Sequence, residues 1–84
     1  MWNMNTNEKY TSKDFYISSV LLACDCTIER LDRSQGNFVE FVFKDSPDKC
    51  LELIASYWAS ELLVDPKKLI SAINQLKTRI HERV

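Results

Sequence analysis

Arg33-Ser-Gln-Gly-Asn-Phe-Val-Glu-Phe-Val-Phe-Lys-Asp-Ser-Pro47 sets the centre of the architecture. Gly36, the only glycine of the chain, falls in a polar turn from Ser34 to Asn37 and is followed by an aromatic, β-branched run. Alternation puts Val39, Phe41 and Phe43 on one face of a strand and Phe38, Glu40 and Val42 on the other. The first set reads as a core face, and the second is apolar enough to need partial shielding. The run stops at Asp45-Ser46-Pro47. There a short acceptor side chain can hold a free amide, and proline in the first turn loses no hydrogen bond, so a helix starts. Thr27 to Arg33 supplies the preceding strand of the hairpin. Ile28 and Leu31 are three apart, which breaks the alternation and predicts a bulge or kink.

Upstream, Thr11-Ser-Lys-Asp14 has the form of a capping box with a short acid, and it predicts a helix over about Ser12 to Cys24. Met1 to Tyr10 reads as a polar tail, with the folded domain occupying residues 11–84. On a helical wheel Tyr16, Ile17, Val20, Leu21 and Cys24 form a broad apolar face, while Phe15 and Leu22 point the opposite way. Asp14, Ser18 and Ser19 leave only a thin polar strip. A helix of that kind needs cover on nearly every side.

Downstream of Pro47, Leu51, Ile54, Ala55, Trp58 and Leu62 line one side of a second helix, with Trp58 as the expected core anchor. Cys50, Leu53 and Tyr57 make a second stripe at the i, i+3, i+7 spacing. Glu61 to Val64 is a candidate third strand or a linker. Asp65-Pro66 repeats the cap-plus-proline device and opens a third helix reaching about Glu82. Its seam is Leu69, Ile73, Leu76 and Ile80, with Ile70 and Lys77 beside it. The expected class is α+β in the order αββαα, a small antiparallel hairpin packed with three helices.

The 84 residues suffice for one domain, and 45% hydrophobic content excludes a disordered chain. A formal net charge of −1 gives the whole molecule no strong field toward nucleic acid or an anionic membrane. The longest apolar run, Val20 to Cys24, is too short to span a bilayer, and no membrane partner is expected. The first residues lack the apolar core of a signal peptide. Three cysteines imply no framework of paired bridges, so a reduced, cytoplasmic setting is the expectation. Charge is unevenly placed, however. From Pro66 to Val84 there are five basic residues and one acid, whereas the first 65 residues carry six basic and eleven acidic ones.

No reaction chemistry stands out. Cys24, Cys26, Cys50 and His81 have the donor types of a zinc site, but their spacing lacks the two close pairs of structural zinc sites. Core packing of the cysteines is the simpler reading. His81 is the only histidine and lies in the last turn of a helix, where the dipole favours an imidazolium. A single glycine builds no phosphate-binding loop. The expectation is a protein that is not an enzyme, with no catalytic residue, no cofactor and no metal.

Two interaction readings remain. Two helices with more than one apolar face exceed the cover a hairpin offers, so self-association as a homodimer is expected, with Phe15, Leu22, Leu53 and Tyr57 as candidate contacts. The alternative is an accessory nucleic-acid-binding protein. Its candidate phosphate contacts are Arg30 and Arg33 on the hairpin with Lys67, Lys68, Arg79 and Arg83 on the last helix. On the wheel Lys68, Arg79 and Arg83 flank the apolar seam on one side and Lys77 on the other. Lys67 shares the outward back with Ser71, Asn74 and Thr78.

The tract from Tyr10-Thr-Ser-Lys-Asp14 through Glu29-Arg-Leu-Asp-Arg33, Phe41-Val-Phe43, Asp45-Ser-Pro47 and Tyr57-Trp58 continues into Glu61-Leu-Leu-Val-Asp-Pro66 and Leu76-Lys-Thr-Arg-Ile80. Together these segments resemble the short prokaryotic and mobile-element proteins grouped as domain-of-unknown-function family 5659. The resemblance runs from about Tyr10 to Ile80 and is most specific at Tyr57-Trp58 and Val64-Asp65-Pro66. It implies a stand-alone domain of bacterial or phage type, and it brings no reaction, ligand or catalytic residue with it.

Overall fold

A computed structural model describes residues 9–33 and 38–82. The expected turn at 34–37 and the greater part of the expected tail lie outside the described residues. The elements are β1 (Thr11–Ser12), α1 (Phe15–Ala23), β2 (Ile28–Asp32), β3 (Glu40–Phe43), α2 (Pro47–Trp58) and α3 (Pro66–His81). The α+β class and the αββαα core of the order hold, with one short strand added in front. β3 is the central strand of a three-stranded antiparallel sheet ordered β1-β3-β2.

Of the two readings of Glu61 to Val64 the linker holds, and the third strand comes from the N-terminal side instead. Glu61 to Val64 is an irregular linker, while Thr11 and Ser12 pair with Val42 and Phe41. The helix expected from Ser12 accordingly starts later, at Phe15. Asp14 is its cap, its carboxylate accepting a hydrogen bond from the Ile17 N–H at 3.0 Å. The free edge of β3 competes for this segment, and a β-branched threonine fits a pleated surface better than a first helical turn. Tyr10, the last residue of the expected tail, belongs to the fold. Its carbonyl accepts from the Phe43 N–H at 2.9 Å, and its ring lies 6.1 Å from that of Phe43.

The β2–β3 register carries the expected irregularity. Ile28 faces Phe43 and Arg30 faces Val42, which leaves Glu29 as the extra residue of a bulge. The extra residue lets Ile28 and Leu31 both pack against the core. That core joins Phe41 and Phe43 of β3, Ile28 of β2, Ile17 and Leu21 of α1, Cys26, Cys50 of α2 and Leu76 of α3. Val42 is buried too, outside this cluster, between Thr11 and Arg30 in the ladder.

α1 lies against α3 and, less extensively, α2 and β1. Ile17, Val20 and Leu21 of the expected apolar face are buried, and the wheel departs from the structure at three positions. Ser18 and Ser19, expected at the surface, are fully buried, whereas Tyr16, expected in the apolar face, is 67% exposed. Small side chains (Ser18, Ser19 and Ala23 on α1, Ala72 on α3) are buried on both helices and allow their axes to approach closely. Ser19 Oγ donates to the Phe15 carbonyl one turn back, while Ser18 Oγ has no partner among the described residues.

Both helix ends that feed the next element stop in the same way. After α1 the Cys26 N–H reaches the Leu21 carbonyl and the Asp25 N–H the Leu22 carbonyl. After α2 the Glu61 N–H reaches Ser56 and the Ser60 N–H reaches Tyr57. This is the paired-bond stop usually built on a left-handed glycine, yet Asp25 (φ 72°) and Ser60 (φ 62°) hold that position. With side chains in the left-handed region these stops carry a torsional cost that glycine would lack. Ser60→Gly is therefore expected to raise unfolding stability by about 0.5–1 kcal/mol. Ser18→Ala, which removes an unpaired buried hydroxyl, should be neutral or stabilising, whereas Leu76→Ala should cost about 2–5 kcal/mol. Urea unfolding of the three variants checks all of this.

Candidate functional site

α2 has two apolar faces, and the structure buries part of each. Cys50 is fully buried, and Leu53 and Ile54 pack half-buried against the core. The first face expected inside is split: Ile54 and Leu62 are half-buried, but Leu51 is 54% and Trp58 70% exposed, with Ala55 exposed between them. Trp58 is therefore not a core anchor. The reason is the helix start. Ser46 caps α2, its Oγ accepting from the Lys49 N–H, and Asp45 binds the Thr27 amide at 2.7 Å, which fixes the rotation of the helix. From that anchor Cys50, Leu53 and Ile54 turn toward the core, and Leu51, Ala55 and Trp58 turn away at i, i+4, i+7. Tyr57 stands edge-on to Trp58 with ring centroids 5.0 Å apart.

Of the four candidate contacts for self-association, Phe15, Leu22 and Leu53 are half-buried against the chain's own core. Tyr57 is exposed and joins the outer stripe. The spacing of Leu51, Ala55 and Trp58 was visible in the sequence. What hid their exposure is that two stripes of one helix compete for one core.

The basic residues divide. Arg33 is committed to the fold: its guanidinium donates to the carbonyls of Arg79 at 2.9 Å, Ile80 at 2.8 Å and Glu82 at 3.4 Å. A cation on these free carbonyls satisfies the C-terminus of α3 and meets the negative end of its dipole. Lys68 pairs with Asp25 at 3.0 Å, tying the end of α1 to the start of α3. Arg30 pairs with Glu29 at 2.8 Å, and Lys9 reaches the same carboxylate at 2.7 Å. The Lys9 ammonium, ahead of Arg30, holds the Glu29 carboxyl below its ordinary range. Lys67 and Arg79 are exposed, and Arg83 lies outside the described residues. The fold thus brings Arg30, Arg33 and Arg79 around one shallow depression of about 350 Å³, completed by Glu29, Leu31 and Glu82. Lys67 and Lys68 stand near the opposite end of α3.

The thiols are packed groups. Burial pushes Cys26 up to about 12, with Asp45 adding to the effect, and burial raises Cys24 and Cys50 as well. Cys26 and Cys50 lie together in the core cluster. A thiol held protonated is a poor nucleophile and a poor metal ligand at neutral pH. Among the described residues no group of three or more metal-ligating side chains comes together, and no helix is long and apolar enough to cross a membrane.

Arg33→Ala should lower stability by about 1 kcal/mol and speed amide exchange selectively in the last turn of α3. Arg33→Lys should restore only part of this, because an ammonium lacks the planar fork. Asp45 gives a pH dependence. Burial by itself raises its carboxyl, but the Thr27 amide and the Lys49 ammonium outweigh this and leave it below its ordinary value. Its contribution is therefore complete above about pH 4 and is lost as pH falls through the depressed folded value. In an acid titration followed by circular dichroism, Asp45→Asn should be less stable at neutral pH and lose less on acidification. In comparisons with known proteins no family model, no curated protein and no solved structure matches this chain.

Proposed function

We propose that this chain is a non-enzymatic interaction domain that associates with a second copy of itself through the outer face of α2. The observation that carries the reading is the Leu51, Ala55, Trp58 stripe, with a tryptophan 70% exposed at one end and Tyr57 edge-on beside it. Apolar faces of this kind on small proteins commonly mark interfaces, and tryptophan and tyrosine are the residues on which interface energy concentrates. The packing agrees with such a role: α2 lies against α1, and Cys50, Leu53 and Ile54 face the core while Leu51, Ala55 and Trp58 are left exposed.

The magnitudes set the strength. Full burial of a large apolar side chain contributes about 1.5–3 kcal/mol, and a symmetric interface counts each such residue twice. Association costs about 4–15 kcal/mol in lost freedom. Leu51, Tyr57 and Trp58 from two copies therefore support a weak, concentration-dependent dimer. A bacterial or phage setting, as the family resemblance implies, and a cytoplasmic location fit the same reading, since free thiols persist where the medium is reducing.

Sedimentation from micromolar to millimolar concentration tests it. The mass should rise from 9.8 kDa toward twice that value. The double variant Leu51→Glu, Trp58→Glu should stay monomeric with an unchanged melting temperature, because neither side chain supports the core. A wild-type chain that remains at 9.8 kDa throughout, or a double variant that associates equally well, overturns the proposal.

A further inference from the structure

We infer that the outward face of α3, together with Arg30 of β2, is a docking surface for the phosphodiester backbone of a nucleic acid. From Pro66 to His81 the helix contains no acidic residue. Its exposed side holds Ser71, Asn74, Gln75, Thr78 and Arg79 along a shallow depression of about 390 Å³. Arg79 also borders the second depression, with Arg30 and Arg33. The two hollows adjoin at Arg79 and together make a strip from the middle of α3 to the bulged strand, with exposed Lys67 nearer the helix start.

Charge complementarity selects the partner. Among the described residues two carboxylates border the strip, Glu29 and Glu82. Glu29 is already met by Lys9 and Arg30. Three guanidinium groups and Lys9 outweigh the pair, so the local excess is positive although the whole chain carries −1. The uncharged members make the choice narrower. Hydroxyl and amide side chains are, with arginine and lysine, the donors that bind phosphate and sugar oxygens. Among the residues that line the two depressions Leu31 is the one aliphatic side chain, and Ile70 stands exposed on the same helix, which is less than the apolar centre that protein interfaces bury or the apolar face that a lipid surface takes up. Sixteen residues at about 1.5 Å each give a helix roughly 24 Å long, enough to lie along several successive phosphates. This strip is separate from the Leu51 and Trp58 stripe of α2, and the inference stands whether or not the chain dimerises.

Fluorescence anisotropy with labelled duplex DNA, single-stranded DNA and duplex RNA, titrated against the full chain at several salt concentrations, tests the assignment. Three phosphate contacts, from Arg30, Lys67 and Arg79, predict a log–log salt slope of about −2 to −3. The pair Arg30→Ala, Arg79→Ala should remove about two units of that slope. The pair Asn74→Ala, Gln75→Ala should weaken binding several-fold at unchanged slope. Lys44→Ala, away from the strip, should change neither. Whichever nucleic acid binds tightest identifies the source of the phosphates. Equal affinity for inorganic polyphosphate, an unaltered slope in the arginine pair, or no salt-dependent binding to any of the three overturns the inference. Circular dichroism of each variant separates lost contacts from lost structure. The monomeric Leu51→Glu, Trp58→Glu variant, which should keep the same slope per chain, separates this result from the dimer proposal.

Discussion

The constraint on which the molecule depends is that α1 is buried on nearly every side. It brings Ile17 and Leu21 to the sheet core and lies against α3 and α2, leaving Tyr16 as its exposed position. A nine-residue helix so enclosed has almost no isolated stability, so its neighbours hold it in place rather than its own propensity. Its serines make this possible by being small. They allow close helix packing at the expense of one unpaired hydroxyl, and the rest of the fold is arranged to complete the cover. Tyr10 and β1 close the sheet, the Asp45 anchor sets the rotation of α2, and the Arg33 guanidinium fastens the far end of α3 to the hairpin.

Much of this was legible from residue types alone. The Val39-to-Phe43 alternation, the bulge foreshadowed by Ile28 and Leu31, and the two serine- or aspartate-plus-proline starts all appear where local chemistry put them. Each is a short-range signal, in which one side chain satisfies or breaks a backbone pattern within a few residues. The misreadings share the opposite property. Thr11 and Ser12 joined a sheet because a distant strand offered an edge. Ser18 and Ser19 were buried because two helices needed to approach. Trp58 turned outward because a bond from Asp45 to Thr27, eighteen residues away, fixed the helix phase. In each case the deciding partner is remote in the chain, and hydrophobicity along one helix cannot reveal it.

The same remoteness explains which functional candidates survived. Arg33 looked like a surface cation and proved to be a structural latch, since the carbonyls it serves belong to another element. Arg79 kept its exposure and gained Arg30 as a neighbour. The molecule thus separates two kinds of surface. Leu51, Tyr57 and Trp58 are displayed on α2, and α3 shows mainly hydrogen-bonding and basic side chains beside exposed Ile70. Cys26 and Cys50, buried and raised in pKa, belong to the packing rather than to either surface.

The Glu29 bulge has a further consequence. A strand at the rim of a sheet offers unsatisfied amides and carbonyls to any passing chain, and identical molecules are the commonest visitors. In β2 the extra residue interrupts the regular spacing that such a visitor would need, and Glu29 and Arg30 stand charged beside it. Ribbon-to-ribbon stacking, the route toward fibrils, is thereby made unfavourable. A chain with a greasy helix on display can stay free of amyloid-like growth because its sheet rim is deliberately irregular.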